Sequence, residues 1–297
     1  MPVLESVPID DRAKGMKDID LDKDNIPLER ALGVHWDPET DRFGFKTVDK
    51  DKMPARCGIL SVTSSVFDPI GFLSPFILKA KLILQDLCRL KIGWDDDIPE
   101  EHLSKWQRWL SDLPKVSNFK TDRCVKPKDF DNIVSSQFSS QLVHFSDSSE
   151  VGYGVMSYLR LVNGDGRIHC CLLLNKSRVA PLKHITMPRM ELAGATVAVR
   201  VDRMLRKEID LPVDRSILFT DSTAVIKYIR NRGTRFKTFV ANRLAIIHDG
   251  SDASQWCYID TKSNPADHAS RGLWAEDFLN CIAWSNGPEF LWKLMEE

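Results

Sequence analysis

Four acidic residues in the second half of the chain stand where secondary-structure elements are expected to begin or end. Asp147 and Asp221 finish the apolar runs "SQLVHFSD" and "RSILFTD", which have the composition of strands. Glu191 and Asp267 fall in the first turns of two predicted helices. Strand ends and helix N-termini at one edge of an α/β sheet can converge in a single crevice. Four carboxylates there would repel one another unless cations neutralise them, and such oxygen ligands suit Mg²⁺ or Mn²⁺.

Two such ions about 4 Å apart can activate a water molecule and stabilise the leaving oxygen of a phosphodiester. Taken singly, each acid also has a simpler explanation. Asp147 can form a turn, Glu191 can complement a helix dipole, and Asp221 can N-cap the helix that follows it. Asp267, three residues after Asn264, can complete a capping box. The order of the four acids on the predicted elements, rather than any one of them, favours a metal site.

The elements that would carry these acids form a mixed α/β pattern from residue 138 onward. Three strand-like runs come first, and the Asn-Gly and Asp-Gly pairs at 163–166 predict a hairpin between the second and the third. A long helix over about 188–207 follows, then a strand, two helices, a further strand and a short helix that Gly272 closes. This order predicts helices packed on one central sheet.

The first half of the chain has a different texture. Residues 1–52 are rich in Asp and Lys, with a pair of strands expected around the turn "DPETD" at 37–41. Residues 53–115 have the pattern of helices. The polar stretch from 116 to about 136 is predicted to be a linker.

Composition narrows the class of protein. The 297 residues carry a formal net charge of −1, so any polyanion must be bound by a local patch. The seven cysteines include no Cys-x-x-Cys pair, which argues against a zinc site and a disulfide scaffold. The sequence shows no signal peptide, and lysines interrupt its longest apolar run. We therefore expect an intracellular protein, cytoplasmic or nuclear, with no membrane partner.

A run of basic residues follows Asp221. Between residues 227 and 243 the sequence has six cations and no acid, with Phe236 and Phe239 among them. A solvated helix face is the ordinary explanation of such a run, but its place beside a predicted strand end also suits a phosphate backbone. Binding of this kind does not depend on base sequence and weakens with salt. The six cations are Lys227, Arg230, Arg232, Arg235, Lys237 and Arg243.

The phrases "NPADHASRG", "ILFTDSTAVIKYI" and "FKTFVANRLAII" resemble the ribonuclease H region of BEL/Pao-type retrotransposon polyproteins, the Pao retrotransposon peptidase family. Upstream, "LGVHWDPETDRFGF", "SVFDPIGFLSPFILKAKLILQDL" and "GWDDDIPEEHLSKWQRWL" resemble the connection between the reverse transcriptase palm and ribonuclease H in the same polyproteins. The phrase "WSNGPEFLW" resembles the start of the connector toward integrase. The resemblance covers nearly the whole chain from about residue 28.

The resemblance implies a fold and a reaction. The fold would be α/β, an RNase H-like five-stranded mixed sheet with helices on both faces, preceded by a mainly helical connection region. Asp147, Glu191, Asp221 and Asp267 match the four metal-binding carboxylates of RNase H, so they would hold two Mg²⁺ (or Mn²⁺) ions. The reaction would be hydrolysis of the RNA strand of an RNA–DNA hybrid. The other partner would be the rest of a reverse transcriptase polyprotein.

The resemblance also implies a division of the chain. Residues 1–52 would end the reverse transcriptase region, and residues 53–137 would form the connection region and a linker. Residues 138–272 would form the RNase H-like domain. Residues 273–297 would be a tail toward a missing integrase.

One other function stays open, and a third is disfavoured. The chain can be a catalytically inactive copy that binds nucleic acid or serves a structural role, because the sequence lacks the Tyr/Phe-x-Asp-Asp pair of a polymerase centre. Aspartic peptidase activity is disfavoured. The phrases "FSDSS" and "FTDST" place Ser149 and Thr223 where the peptidase signature needs a glycine for its tight loop.

Overall fold

Two β-sheets organise the protein. The first is antiparallel and has four strands in sequence order: β1 (Glu29–Ala31), β2 (Val34–Asp37), β3 (Arg42–Gly44) and β4 (Lys120–Asp122). The strand pair predicted around the "DPETD" turn is β2 and β3. The computed structural model describes residues 29–31, 34–37, 39–45, 52–127, 130 and 138–294.

The stretch predicted as a linker contains the last strand of this sheet. Phe43 in β3 pairs with Thr121 in β4, and the guanidinium of Arg42 donates a hydrogen bond to Asp122 at 2.8 Å. Phe130, farther along, is buried. The prediction of an irregular linker is wrong at β4, because three residues without apolar alternation become a strand only through a partner about 80 positions away.

Helices connect the two sheets, as predicted for residues 53–115. They are α1 (Arg56–Ser65), α2 (Ser74–Arg89) and α3 (Glu100–Asp112), followed by a 3₁₀ turn (Leu113–Asn118). Helix α2 begins at Ser74 with Pro75 in its first turn, where the missing proline N–H has no helical acceptor to lose. Helices α2 and α3 meet through stacked rings of Phe76 and Trp109, whose centroids are 4.9 Å apart.

The second sheet has five strands: β5 (Phe138–Ser148), β6 (Gly152–Asn163), β7 (Ile168–Val179), β8 (Arg215–Thr220) and β9 (Trp256–Tyr258). Their order in the sheet is β7-β6-β5-β8-β9. Strands β5, β6 and β7 are antiparallel neighbours, whereas β8 runs parallel to β5 and β9 parallel to β8.

Helices cover both faces of this sheet. One face packs on α4 (Met187–Glu208), α5 (Thr223–Arg230) and α6 (Thr238–Gly250). The other packs on α2 together with α7 (Ala266–Arg271), α8 (Ala275–Asn280) and α9 (Ile282–Asn286). The predicted fold class, a five-stranded mixed sheet between helices with a helical region before it, is confirmed. Within the described ranges, no helix is both long enough and apolar enough to cross a membrane.

Helices α1, α2 and α3 share one core with the five-stranded sheet. Phe145 of β5, Phe76 of α2 and Trp284 of α9 belong to the same buried cluster. The segment after Gly272, predicted as a tail, is thus part of the core as far as Leu291. In this segment, the indole Nε1 of Trp284 donates a hydrogen bond to the carbonyl of Phe72 at 2.8 Å. Periodicity could not reveal this packing, because the segment consists of helices of five or six residues.

A buried polar network fixes α4 on the sheet. His144 Nε2 lies 3.0 Å from Asp202 Oδ1, and His144 Nδ1 lies 2.8 Å from the hydroxyl of Ser157. The hydroxyl of Ser216 also donates to Asp202, and Arg206 Nε lies 3.3 Å from its other oxygen. Serine, histidine and aspartate can form a nucleophilic triad, but His144 and Ser157 are 0% exposed, so no substrate reaches them. The network is structural.

Removal of the Asp202 carboxylate should destabilise the fold. Burial tends to raise its pKa, but hydrogen bonds with His144 and Ser216 and the charge of Arg206 outweigh burial and lower the pKa. We expect Asp202→Ala to reduce the free energy of unfolding by about 3–5 kcal/mol in urea titrations at pH 7, because it leaves buried partners unpaired. The matched control is Asp249→Ala, which removes an exposed ion pair with Arg203 and should cost at most about 1 kcal/mol. Equal losses in the two variants would contradict a structural role for the network.

Candidate active site

The ends of β5 and β8 carry two of the four candidate acids. Asp147 is the penultimate residue of β5, and Asp221 comes directly after β8. The two strands are parallel, with Ser146 opposite Thr220. The next residue along each strand is an aspartate, so the register itself places the two carboxylates at the same edge of the sheet.

Glu191 reaches this edge from α4. The helix begins at Met187, so Glu191 is its fifth residue and lies beyond the first turn in which it was predicted. Its Oε2 accepts a hydrogen bond of 2.6 Å from the Ser222 hydroxyl, which in turn accepts from the amide of Val225. Ser222 is therefore the N-cap of α5, and the capping role considered for Asp221 is wrong.

Helix α7 brings the fourth acid. It packs so closely on β6 that a Cβ added at Gly154 would lie 2.5 Å from the Cβ of Ala269. The hydroxyl of Ser270 donates to Asp147 Oδ2 at 2.6 Å, which ties the helix to the first acid. Asp267 lies in the first turn, as predicted, and Arg271 one turn later donates to it at 2.5 Å.

The capping box considered for Asp267 is wrong. The side-chain oxygen of Asn264 accepts from the amide of Ala266 at 3.1 Å, and its amide nitrogen donates to the carbonyl of Ser146 at 3.2 Å. Asn264 therefore joins the start of α7 to β5, while the Asp267 carboxylate is free for Arg271 and the acid cluster.

The four acids form one electrostatic cluster. Burial raises the pKa of Asp147 to about 6; the Ser270 hydrogen bond opposes this shift, and the charges of Asp221 and Asp267 add to it. Burial also raises the pKa of Glu191, against the hydrogen bond from Ser222 and with a contribution from Asp221. A carboxylate that is shielded from water and lies near other carboxylates holds its proton more tightly than usual.

The donor set fits a divalent cation. It consists of carboxylate oxygens, the ligands that Mg²⁺ and Mn²⁺ prefer. A cation would offset the burial and the neighbouring negative charges that together raise the pKa of Asp147. Over the described ranges, however, no three His, Cys, Asp or Glu side chains already surround a common metal position. Ser270 and Ser222 each engage only one oxygen of Asp147 and Glu191, which leaves the second oxygen of each for a cation. Arg271 pairs with Asp267, so ligation by Asp267 would require Arg271 to reorient.

The predicted basic residues lie on and beside α5 and α6. Five of them are exposed, and Arg232 and Arg235 line a groove of about 730 Å³ beside α6. The sixth, Arg243, is half-buried, with its guanidinium 3.4 Å from the ring centroid of Phe239. The exposed five are Lys227, Arg230, Arg232, Arg235 and Lys237.

Sequence reasoning missed a further cation at this surface. The guanidinium of Arg189 lies 5.4 Å from the same Phe239 ring, although the two residues are 50 positions apart. A search for charge runs cannot find it, because it stands alone in the sequence. The one feature of the local sequence that points to Arg189 is the candidate acid Glu191, two positions later.

Comparison with known proteins identifies the family. Residues 55–222, more than half of the chain, match the family model described as the Pao retrotransposon-like RNaseH-like domain. The chain belongs to this family. The predicted relationship to Pao-type retrotransposons is thereby confirmed. No curated protein matches the chain significantly.

Several solved structures are similar to parts of the chain. The N-terminal RNase H domain of rv2228c from Mycobacterium tuberculosis is 15% identical over 44% of this chain and 91% of that one, with a TM-score of 0.31. LC11-RNase H1 in complex with an RNA/DNA hybrid is 12% identical over 44% and 93%, with a TM-score of 0.30. The foamy viral protease-reverse transcriptase in complex with dsDNA is 17% identical over 80% and 45%, with a TM-score of 0.24. The fold assignment depends on the sheet order and the family match.

The raised pKa of Asp147 predicts a pH-dependent stability. The folded chain holds this proton more tightly than the unfolded chain, with a pKa of about 6 against 3.8. The stabilisation is complete below about pH 4 and is lost as pH rises through 6. In EDTA at pH 7, we expect Asp147→Asn to raise the free energy of unfolding by about 1–3 kcal/mol, since it removes a buried charge but keeps an acceptor for Ser270.

Urea titrations of both proteins at pH 4 and pH 7 measure this effect. The difference between them should nearly vanish at pH 4. A variant less stable than the wild type at pH 7 would show that the Asp147 carboxylate is already neutralised in the folded chain.

Proposed function

We propose that this protein is a ribonuclease H that hydrolyses the RNA strand of RNA–DNA hybrids. The supporting observation is the meeting of Asp147, Glu191, Asp221 and Asp267 at one edge of an RNase H-like sheet. The chain belongs to a family whose matched region includes the first three of these acids. The same proposal assigns residues 138–272 to the ribonuclease H unit, residues 53–137 to a connection region, and a cytoplasmic or nuclear location to the protein.

In this proposal the four carboxylates hold two Mg²⁺ or Mn²⁺ ions. When bound, such ions supply activation of a water nucleophile and neutralisation of charge at the leaving oxygen. The protein's own hydroxyls orient the ligands: Ser270 holds Asp147, and Ser222 holds Glu191 while capping α5. The groups that orient ligands in this way commonly matter for affinity and activity.

The basic surface would bind the hybrid through its backbone. Arg232, Arg235 and Lys237 are exposed on the turn between α5 and α6. Contacts of this kind position a duplex without reading its bases. Discrimination between RNA and DNA would then depend on helix shape and on 2′-hydroxyl groups near the acids.

A catalytically inactive hybrid-binding protein is the second candidate. The observation in its favour is the ion pair between Arg271 and Asp267, which engages one ligand of the proposed metal site. A copy in which this pair persists would bind hybrids without cutting them. Cleavage and binding assays distinguish the two candidates.

The cleavage test uses a labelled RNA–DNA hybrid with Mg²⁺ or Mn²⁺. We expect the wild type to cut only the RNA strand, EDTA to stop the reaction, and Asp147→Asn or Asp221→Asn to lower kcat at least about 100-fold. Asp249→Asn, a surface carboxylate on α6, is the matched control and should retain full activity. Hybrid binding without cleavage by the wild type would favour the inactive candidate.

The binding test removes two charges from the groove beside α6. The double variant Arg232→Gln/Arg235→Gln should bind the hybrid more weakly. The negative slope of log affinity against log salt should become shallower by about two, since each phosphate contact contributes about −0.9 to it. Fluorescence anisotropy over a range of salt concentrations measures the slope. Arg42→Gln, which removes an exposed cation from the four-stranded sheet, is the control and should leave the slope unchanged. An equal slope for the double variant and the wild type would exclude these arginines from the interface.

A further inference from the structure

A pocket of about 700 Å³ opens beside Asp267. One wall is the turn before α7 and the helix itself, with Lys262 and Arg271. The opposite wall is the C-terminal segment, with Phe290 and Lys293. We call this space the C-terminal pocket. Its volume lies in the range of sites that hold a small organic group such as a nucleotide.

The C-terminal wall of this pocket is firmly built into the fold. Arg160 of β6 is 2% exposed, and its guanidinium donates to the carbonyls of Leu291 and Lys293, both at 2.7 Å. The side chain of Leu291 is fully buried. The hydroxyl of Tyr158, also in β6, donates to the carbonyl of Ala283 at 2.9 Å. Three backbone carbonyls of the segment are therefore bound to one strand of the sheet, so the wall has a defined position.

The groups that face this pocket suit a nucleotide. The Lys262 ammonium group has no ionic partner among the residues that the structure describes, whereas Lys293 pairs with Glu289 at 2.7 Å. Both side chains of the Lys293–Glu289 pair are exposed, so the pair is weak and a phosphate can take the place of Glu289. Phe290 is half-buried and offers an aromatic surface on which any base or sugar can pack.

We propose that the C-terminal pocket binds a nucleotide of the cleaved strand, with its phosphate on Lys262 and Lys293 and its base or sugar against Phe290. The inference depends on the proposed ribonuclease H function, because it takes Asp267 as part of the reaction site. Asp267 lines the pocket and belongs to the acid cluster. A strand whose scissile phosphate lies at the acids therefore has its neighbouring nucleotide at the pocket.

A double-mutant cycle between protein and substrate tests this contact. We would prepare a series of hybrids, each with one neutral methylphosphonate in place of a phosphate, so that the series covers every position of both strands. The affinity of each hybrid is measured for the wild type and for Lys293→Gln. Fluorescence anisotropy in EDTA at low salt gives affinities without cleavage. We expect Lys293→Gln to weaken binding about fivefold, the effect of losing one exposed ion pair. At one linkage of the RNA strand, Lys293→Gln and the methylphosphonate together should weaken binding no more than either change alone.

The matched control is Lys105→Gln, which breaks an exposed i,i+4 pair with Glu101 on α3 in the same way. It should neither weaken binding nor couple to any linkage. Independent effects at every RNA linkage, coupling only in the DNA strand, or no hybrid binding by the wild type would overturn the inference.

Cleavage by the same proteins separates the two proposals. Coupling at an RNA linkage in a chain that does not cleave supports the C-terminal pocket and counts against the ribonuclease activity. Normal cleavage without coupling counts against the pocket and leaves the activity in place.

Discussion

The close contact between α7 and β6 is the constraint on which the candidate site depends. A side chain at Gly154 would collide with Ala269, so the helix can lie this near to the strand only because that position lacks a Cβ. The contact lets Ser270 reach Asp147 and brings Asp267 to the ends of β5 and β8. On its other side, the end of α7 is held by α2, since the amide of Leu273, two residues after the helix, donates to the carbonyl of Pro75 at 3.2 Å.

This arrangement makes helices α1, α2 and α3 part of the structure that supports the site. Helix α2 packs on the same face of the sheet as α7, and the two share a core with α3 and with the segment after Gly272. The family match agrees with this view, because it begins at residue 55, before α1, and ends at residue 222, just after Asp221. The region that the family model matches therefore spans both the helical region and most of the sheet.

Two buried aspartates show how their neighbours decide the effect of burial. Asp202 lies among His144, Ser216 and Arg206, and its pKa is lowered despite burial. Asp147 has one hydroxyl donor and two neighbouring carboxylates, and its pKa is raised to about 6. The first stabilises α4 on the sheet. The second costs stability in its charged form, which is typical of a site that is built to bind a cation or substrate.

Local sequence determined the elements and the place of each acid along the chain. Hydrophobic periodicity and turn residues predicted the order of strands and helices after residue 138, and thus put Asp147 and Asp221 at strand ends, because these signals act over a few residues. The tertiary structure decided the partner of β4, the N-cap at Ser222 and the place of Arg189 beside Phe239. It also decided that the segment after Gly272 packs as a wall of the C-terminal pocket. Each of these depends on contacts between residues far apart in the chain or on a choice between adjacent polar groups, which no local pattern encodes.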